Sequence, residues 1–420
     1  AIIAGNASRM KKKLWTDRQE GHTPEVWQVE NESREAEKVL EKIAELEGIT
    51  MRTPNPHPTL SLERRGEDVT YDYEAEGGGG GILDKIMAGF KAGKRKYRPG
   101  DMRLAPSKII PFDLGTKKLT WNNYVVLYRT NAQSRVLEEA MLRYGVPYRL
   151  VGGIRFYDRK EVKDTIAYLK FLLNPNDVLA LERIINEPSR GIGNKTLGRV
   201  YTQARSEGRD IVACVLESEE IEGLAPNRLE AFKAFVDVFS RGQESLPEMT
   251  VSEAIDFLLK RSGYIDALKA LGNDGNDKLE NVAELKSVAK KFASMKGSEA
   301  IEAFLEDVAL VSDQDTFDPE SGQAITLMTL HSAKGLEFKN VFLVGLEEGL
   351  LPHANSMIEP AQLEEERRLC YVGITRAQDR LFMLLARSRT IYGSVSITTP
   401  SRFIAELGDE HVAFFEDGAG

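Results

Sequence analysis

Three places in the sequence set charged side chains against an apolar run. In YRTNAQSR (128–135) Arg129 follows NYVVLY directly. In TLHSAKGLEF (329–338) His331, Lys334 and Glu337 follow ITLMTL, and in YVGITRA (371–377) Arg376 stands between a charged stretch and RLFMLLA. A guanidinium is planar, permanently charged and able to fork two oxygens, which suits it to a phosphate. An arginine that reaches into a neighbouring domain's nucleotide site, and neutralises charge developing on a transferred phosphoryl group, is worth about three to five orders of magnitude in rate. A plainer role is also open to Arg376, which can cap the carbonyl end of the helix preceding it.

The elements that would carry these residues follow from hydrophobic periodicity. VWQVE (26–30) alternates like a strand, and residues 31–48 place Ala36, Val39, Leu40 and Ile43 at helical spacing, with Asn31 and Gly48 as end signals. NYVVLYR (123–129) is a continuous apolar run, as in a strand covered on both faces. Thr130 and Gln133 have capping-box spacing for the helix that follows, Gly145 ends that helix, and PYRLVGG (147–153) is the next strand. Asp158 with Glu161 is the expected cap of a helix from Arg159 to Leu173. From about Val178 to Asp318 only helical patterns occur. After DPESG (318–322) come the strands AITLMTL and NVFLVGL, a helix through LEEERRLCYVGITRA and a last strand, RLFMLLA. On that helix Leu369, Val372 and Gly373 are expected to face the sheet and Glu364 to Arg368 to face water.

Strand and helix in alternation predict a parallel, doubly wound α/β sheet. Neither half of the chain has enough strands for a closed core, so the two halves must meet in space. If so, Arg129, His331, Lys334 and Glu337 share the carboxyl edge, where such sheets bind ligands. Residues 50–120 break the pattern with PNPHP, five consecutive glycines (Gly77 to Gly81) and KAGKRKYRPGDMR, and read as an insertion, a linker or an engineered join.

Bulk composition narrows the classes. The net charge of −9 excludes a wholly basic nucleic-acid coat but not a local basic track. Only Cys214 and Cys370 occur, without a Cys/His cluster, so a structural zinc is not expected and a reducing cytoplasm is the natural setting. No stretch approaches ~20 apolar residues, so no membrane span is expected. The opening AIIAGNASRMKKKLW has the wrong order for a signal peptide, and its first residue, Ala, suggests a fragment.

The motifs YRTNAQSR, VGGIRFYDRKEVKD, TLHSAKGLEFKNVFL and EEERRLCYVGITRA resemble, in order, those of superfamily 1 DNA helicases of the UvrD/PcrA/Rep type. The likeness is loose over residues 1–49 and close over about 121–408. It implies a RecA-like α/β domain (1–49, 121–178 and 319–408) interrupted by a helical subdomain (179–318), with a tail at 409–420. It implies that Arg129 and Arg376 contact the γ-phosphate of ATP and that Glu337 binds the ribose. It places His331 beside single-stranded DNA and Tyr392, in RTIYGS, under a stacked base, where stacking is worth ~1–3 kcal/mol. Without the resemblance, Tyr392 reads as a half-buried tyrosine and His331 as a turn histidine. Lys334, Arg155 and Arg159 can hold phosphates or simply be solvated charges. Gly191 and Gly193, in PSRGIGNKTLGRV, resemble a hairpin that touches duplex DNA, though a helix–helix turn explains them as well.

A complete motor of this kind also needs GxxxxGK[ST] and an acidic pair for Mg²⁺. Neither is found: GFKAGK (89–94) has one residue too few between its glycines and Arg95 where Ser or Thr belongs. The resemblance therefore implies the C-terminal half of an ATP-dependent 3′→5′ DNA helicase of repair or replication. ATP and Mg²⁺ would be held mainly by a separate nucleotide-binding half, and recruiting partners would be DNA-repair or transcription proteins. The competing expectation is a nucleic-acid-binding or protein-docking module that keeps the fold without catalysis.

Overall fold

A computed structural model describes residues 21–51, 61–64, 67–70, 104–105, 120–221, 223–313, 323–391 and 394–417. The chain divides into two compact units, residues 1–43 with 120–142 and 146–420, and residues 44–119 with 143–145. Among the described residues the first elements are β1 (Glu25–Val29) and α1 (Glu32–Glu47). In the second unit, β2 (Ser61–Arg64), β3 (Glu67–Thr70) and β4 (Leu104–Ala105) form an antiparallel sheet in the order β3-β2-β4. Part of the 50–120 stretch is thus strand; the glycine run and the basic run lie outside the described residues.

The larger unit continues with β5 (Tyr124–Tyr128), α2 (Ser134–Arg143), β6 (Tyr148–Val151) and α3 (Lys160–Leu173). Among the described residues eight α-helices follow: α4 (Val178–Ile184), α5 (Asn194–Glu207), α6 (Ile211–Glu217), α7 (Pro226–Ser245), α8 (Val251–Arg261), α9 (Tyr264–Lys269), α10 (Asn273–Ala289) and α11 (Gly297–Asp313). Then come β7 (Ile325–Thr329), β8 (Phe338–Leu343), α12 (Pro360–Ile374), β9 (Ala377–Ala386), β10 (Ser388–Ile391), β11 (Ser394–Ile397), α13 (Arg402–Ala405) and β12 (Ala413–Glu416).

Seven strands form one parallel sheet in the order β12-β1-β9-β8-β5-β7-β6, while β10 and β11 make a separate hairpin. The two sequence halves do meet, for β5 lies hydrogen-bonded between β8 and β7. All five residues of β5 are buried, as its unbroken apolar run predicts for a central strand. One face of the sheet packs Val125, Leu127, Met328, Leu343 and Met383 against Leu369 and Cys370 of α12. On the strands β8 and β9, Phe342 and Phe382 stack at 4.7 Å.

The helical body has its own core, built on Tyr168, Phe171, Phe232, Phe235 and Phe239. Helix α3 contributes to it as well: Val162, Tyr168, Leu169, Phe171 and Leu172 all pack into this helical core. The cap expected for α3 is also absent. Its N-cap is Arg159; Asp158 instead pairs with Lys163 at 2.5 Å, and Glu161 accepts a hydrogen bond from Asn281. Helix α3 starts where tertiary contacts hold it.

At Gly373 of α12 an added Cβ would lie 2.5 Å from Leu330 Cδ2, inside the closed core. Gly373→Ala would gain about 1 kcal/mol of helix propensity, but overpacking a filled core costs about 1–3 kcal/mol. The variant is expected to unfold at a lower temperature than the parent; a raised melting temperature would show that the sheet face can relax.

Candidate functional site at two edges of the sheet

Strand direction decides where each predicted residue stands. Helix α12 returns the chain to the amino edge, and β9 begins immediately after Arg376. There the guanidinium caps its own helix: Nε donates to the Val372 carbonyl at 2.9 Å, Nη1 to the Leu336 carbonyl at 2.9 Å and Nη2 to the Thr375 hydroxyl at 3.0 Å. The capping role is therefore real, yet a guanidinium has five N–H groups and these bonds engage three. Glu337 is exposed on the same edge, just before β8, and accepts from Gln378 at 3.1 Å. The backbone joins the two sites, since the Phe338 N–H donates to the Arg376 carbonyl at 2.9 Å.

Arg129 stands at the opposite edge. Leu127 is level with Leu343, and Leu343 with Met383, so Arg129 is level with Leu385, nine positions beyond Arg376. At ~3.3 Å per residue the separation is about 30 Å, more than two arginine side chains can span. The expected convergence of Arg129 and Arg376 on one anion is not found. Instead Arg129 forks onto Glu366 of α12, with Nη2 2.8 Å and Nε 3.1 Å from the carboxylate. The placement of Glu337 is corrected by the same topology. Strands β7 and β8 are both parallel to β5 between them, so residues 330–337 must run back along the sheet. His331 is left at the carboxyl edge and Glu337 at the amino edge, with the exposed Lys334 between them.

At the carboxyl edge, partial burial and the Arg129 guanidinium hold the His331 imidazole below the usual histidine range. Gly152 backs onto this edge: its φ is +75°, and a Cβ there would lie 2.8 Å from Ser332 Oγ. Glu366 is 2% exposed, although the charged run EEERR was expected to face water. It also accepts from the His353 N–H at 3.0 Å and the Ser356 hydroxyl at 3.3 Å. Burial raises its carboxyl, but the hydrogen bonds and charge of Arg129 hold it below the usual carboxylate range. A signal was present in the sequence, because Glu366 is three residues from both Leu363 and Leu369 and shares their helix face.

Arg159 is not a surface phosphate ligand. It is 7% exposed, with Nη1 donating to Asn281 Oδ1 at 2.7 Å, Nη2 to Ser134 Oγ at 2.8 Å and Nε to the Ile154 carbonyl at 3.2 Å. Ser134 in turn donates to Glu138 at 2.6 Å, and Asn281 to Glu161 at 2.5 Å. This buried network joins α2, the start of α3 and α10. Arg155, half-buried, lines a cavity of about 180 Å³ with Arg135, Glu138, Glu139 and Tyr157.

Gly191 has a φ of +68° and Gly193 is the N-cap of α5; both are exposed. Their turn is closed from within, as the Asn186 side chain accepts from the N–H groups of Arg190 and Ile192 at 3.2 and 3.1 Å. Tyr392 lies outside the described residues.

A parallel α/β sheet with a helical body inserted between two of its strands is the arrangement of a RecA-like domain. The model for the UvrD-like helicase C-terminal domain matches residues 106–388, more than half of the chain. The chain belongs to that family. It is 40% identical over 329 residues to the ATP-dependent DNA helicase PcrA of Bacillus subtilis, covering 76% of this chain and 44% of that protein. It is 41% identical over 294 residues to DNA helicase II of Escherichia coli (68% and 40%). Over 428 residues it is 33% identical to the ATP-dependent DNA helicase UvrD1 of Mycobacterium tuberculosis (98% and 47%). The chain thus spans less than half the length of these relatives.

The Arg159 network has a measurable consequence. Burial pushes the Glu138 carboxyl up to about 7, against Ser134 and Arg159, which pull it down. The folded protein therefore holds this proton more tightly than the unfolded chain does. The resulting stability is complete below about pH 4.5 and is lost as the pH rises to about 7. Glu138→Gln keeps the shape without titrating, so its unfolding free energy relative to the parent should rise across that window by up to ~3 kcal/mol. Urea unfolding at several pH values measures this, and a constant difference would contradict the buried acid.

Proposed function

We propose that this chain supplies the second RecA-like lobe of an ATP-driven DNA helicase, moving 3′→5′ on single-stranded DNA and unwinding duplex. The observation that carries the reading is the amino edge: Arg376, anchored by two backbone carbonyls and a hydroxyl, stands beside the exposed Glu337. The donor set fits a nucleotide, with a guanidinium for a terminal phosphate and a carboxylate for ribose hydroxyls. ATP, when bound, supplies the phosphoryl group whose transfer drives the cycle. Arg376 neutralises its charge, and Glu337 orients the sugar. On this reading Mg²⁺ is held mainly by the nucleotide-binding half.

The carboxyl edge, with His331 and the Gly152–Gly153 turn, faces single-stranded DNA on this reading, with Lys334 further along the same connection, and the Gly191–Gly193 turn faces duplex. Arg129 is assigned to holding α12 rather than to the γ-phosphate. Support comes from family membership and from relatives named ATP-dependent DNA helicases. Among the described residues no helix is long and apolar enough to cross a membrane. Two buried free cysteines suit a reducing cytoplasm.

The test is reconstitution. Alone, the 420-residue chain should hydrolyse ATP negligibly. Combined with a nucleotide-binding half, it should support DNA-stimulated turnover that Arg376→Ala lowers by about three orders of magnitude or more. DNA binding without turnover in the reconstituted protein would favour a non-motor module, and turnover unaffected by Arg376→Ala would remove the arginine from the mechanism.

A further inference from the structure

Glu366 joins parts of the molecule that the sheet keeps apart. Its carboxylate receives Arg129 from the end of β5, and the His353 N–H and the Ser356 hydroxyl from the segment after β8. The imidazole of the same His353 has Nε2 3.1 Å from Glu280 on α10, part of the helical body. On its own helix, Glu366 precedes Arg376 by ten residues, about 15 Å along an α-helix. At the far end of that helix the Val372 carbonyl holds Arg376 Nε. A displacement of α12 at Glu366 is therefore delivered to the guanidinium at the amino edge.

We propose that Glu366 is a positioning residue that couples DNA contact at the carboxyl edge to the placement of Arg376 at the amino edge. The inference rests on the motor reading above. The Arg129 side chain is 19% exposed and that of Glu366 only 3%, so the cation can be approached from solvent while its partner cannot. A DNA phosphate arriving beside His331 draws on the Arg129 guanidinium, and the Arg129–Glu366 fork loosens or turns. The buried carboxylate keeps its bonds to the His353 N–H and Ser356, so α12 re-seats against the 353–356 segment rather than detaching. Two arrangements of one rigid helix, biased by a ligand that interacts differently with each, are the minimum a coupling device requires. The Glu280–His353 contact ties the helical body to the same node.

The experiment uses the enzyme that pairs this chain with a nucleotide-binding half, and measures ATP turnover without DNA and with saturating oligothymidylate. Glu366→Gln keeps the shape and removes the charge. It is expected to leave DNA-free turnover and the KM for ATP within about twofold, while stimulation by DNA falls by about tenfold or more, within the usual range of coupling between sites. Arg129→Gln should show the same loss, and the double variant no further loss, because the two act through one contact. A correctly folded Glu366→Gln enzyme with undiminished stimulation overturns the coupling role. So does a proportional fall of basal turnover, stimulated turnover and melting temperature together, which marks a purely structural residue. An unmutated enzyme that lacks DNA-stimulated turnover instead overturns the motor reading, and this inference with it.

Discussion

A parallel strand can only be re-entered from its opposite end, and that constraint orders everything else in this chain. Strand β5 lies between β7 and β8, all three running the same way, so the TLHSAKGLEF segment has to travel the length of the sheet in eight residues. His331, near its start, is left at one edge and Glu337, near its end, at the other. Helix α12 makes the same journey between its start at Pro360 and its end at Ile374. Chemistry that is adjacent in sequence is thereby separated in space, and one α/β layer acquires two distinct polar edges.

Two buried charge clusters hold this frame. Arg389 is buried between Glu35 and Glu347, at 2.7 and 2.5 Å, and so joins α1, the segment after β8 and the hairpin strand β10. Glu347 also accepts from the Ala386 N–H at 2.6 Å, so its carboxylate is held by the backbone as well as paired. Such clusters add little net stability over apolar packing, because taking the charges out of water offsets their attraction. Losing one partner, however, leaves an uncompensated buried charge, so the geometry is strongly enforced. Arg159 does the same at the joint with the helical body. Its Ser134, Ile154 and Asn281 contacts fix where α3 leaves the sheet domain.

Much of the fold was legible because its signals are local. The apolar run at 124–128 gave a central strand, and alternation gave the parallel class. Gln133 fulfilled its cap spacing by accepting from the N–H groups of Arg129 and Thr130 at 2.9 Å each. Failures came where a long-range partner decided the outcome. Arg159 read as a phosphate ligand or a solvated charge, and Glu366 as a solvated one, because nothing within ten residues of either announces Asn281 or Arg129 as its partner. The sequence pattern likewise placed Glu337 on the carboxyl edge, since the number of residues after a strand does not reveal which strand comes next in the sheet. Helix α3 likewise has the length and pattern of a crossover helix, and only its packing with Phe232, Phe235 and Phe239 reveals its share in the helical core.

The site also shows why capping and anion binding need not compete at Arg376. A cap bonded through Nε and one face of the fork fixes the plane of the guanidinium before any ligand arrives, so less rotamer freedom remains to be lost on binding. The carbonyls of Val372 and Leu336 are dipoles at a helix end and a strand entry. They orient the group without neutralising it as a carboxylate would. Arg129, by contrast, has a full counter-charge in Glu366. Of the two arginines, then, the one held by neutral partners keeps its full charge for a terminal phosphate, and the one held by a buried carboxylate ties the carboxyl edge to α12.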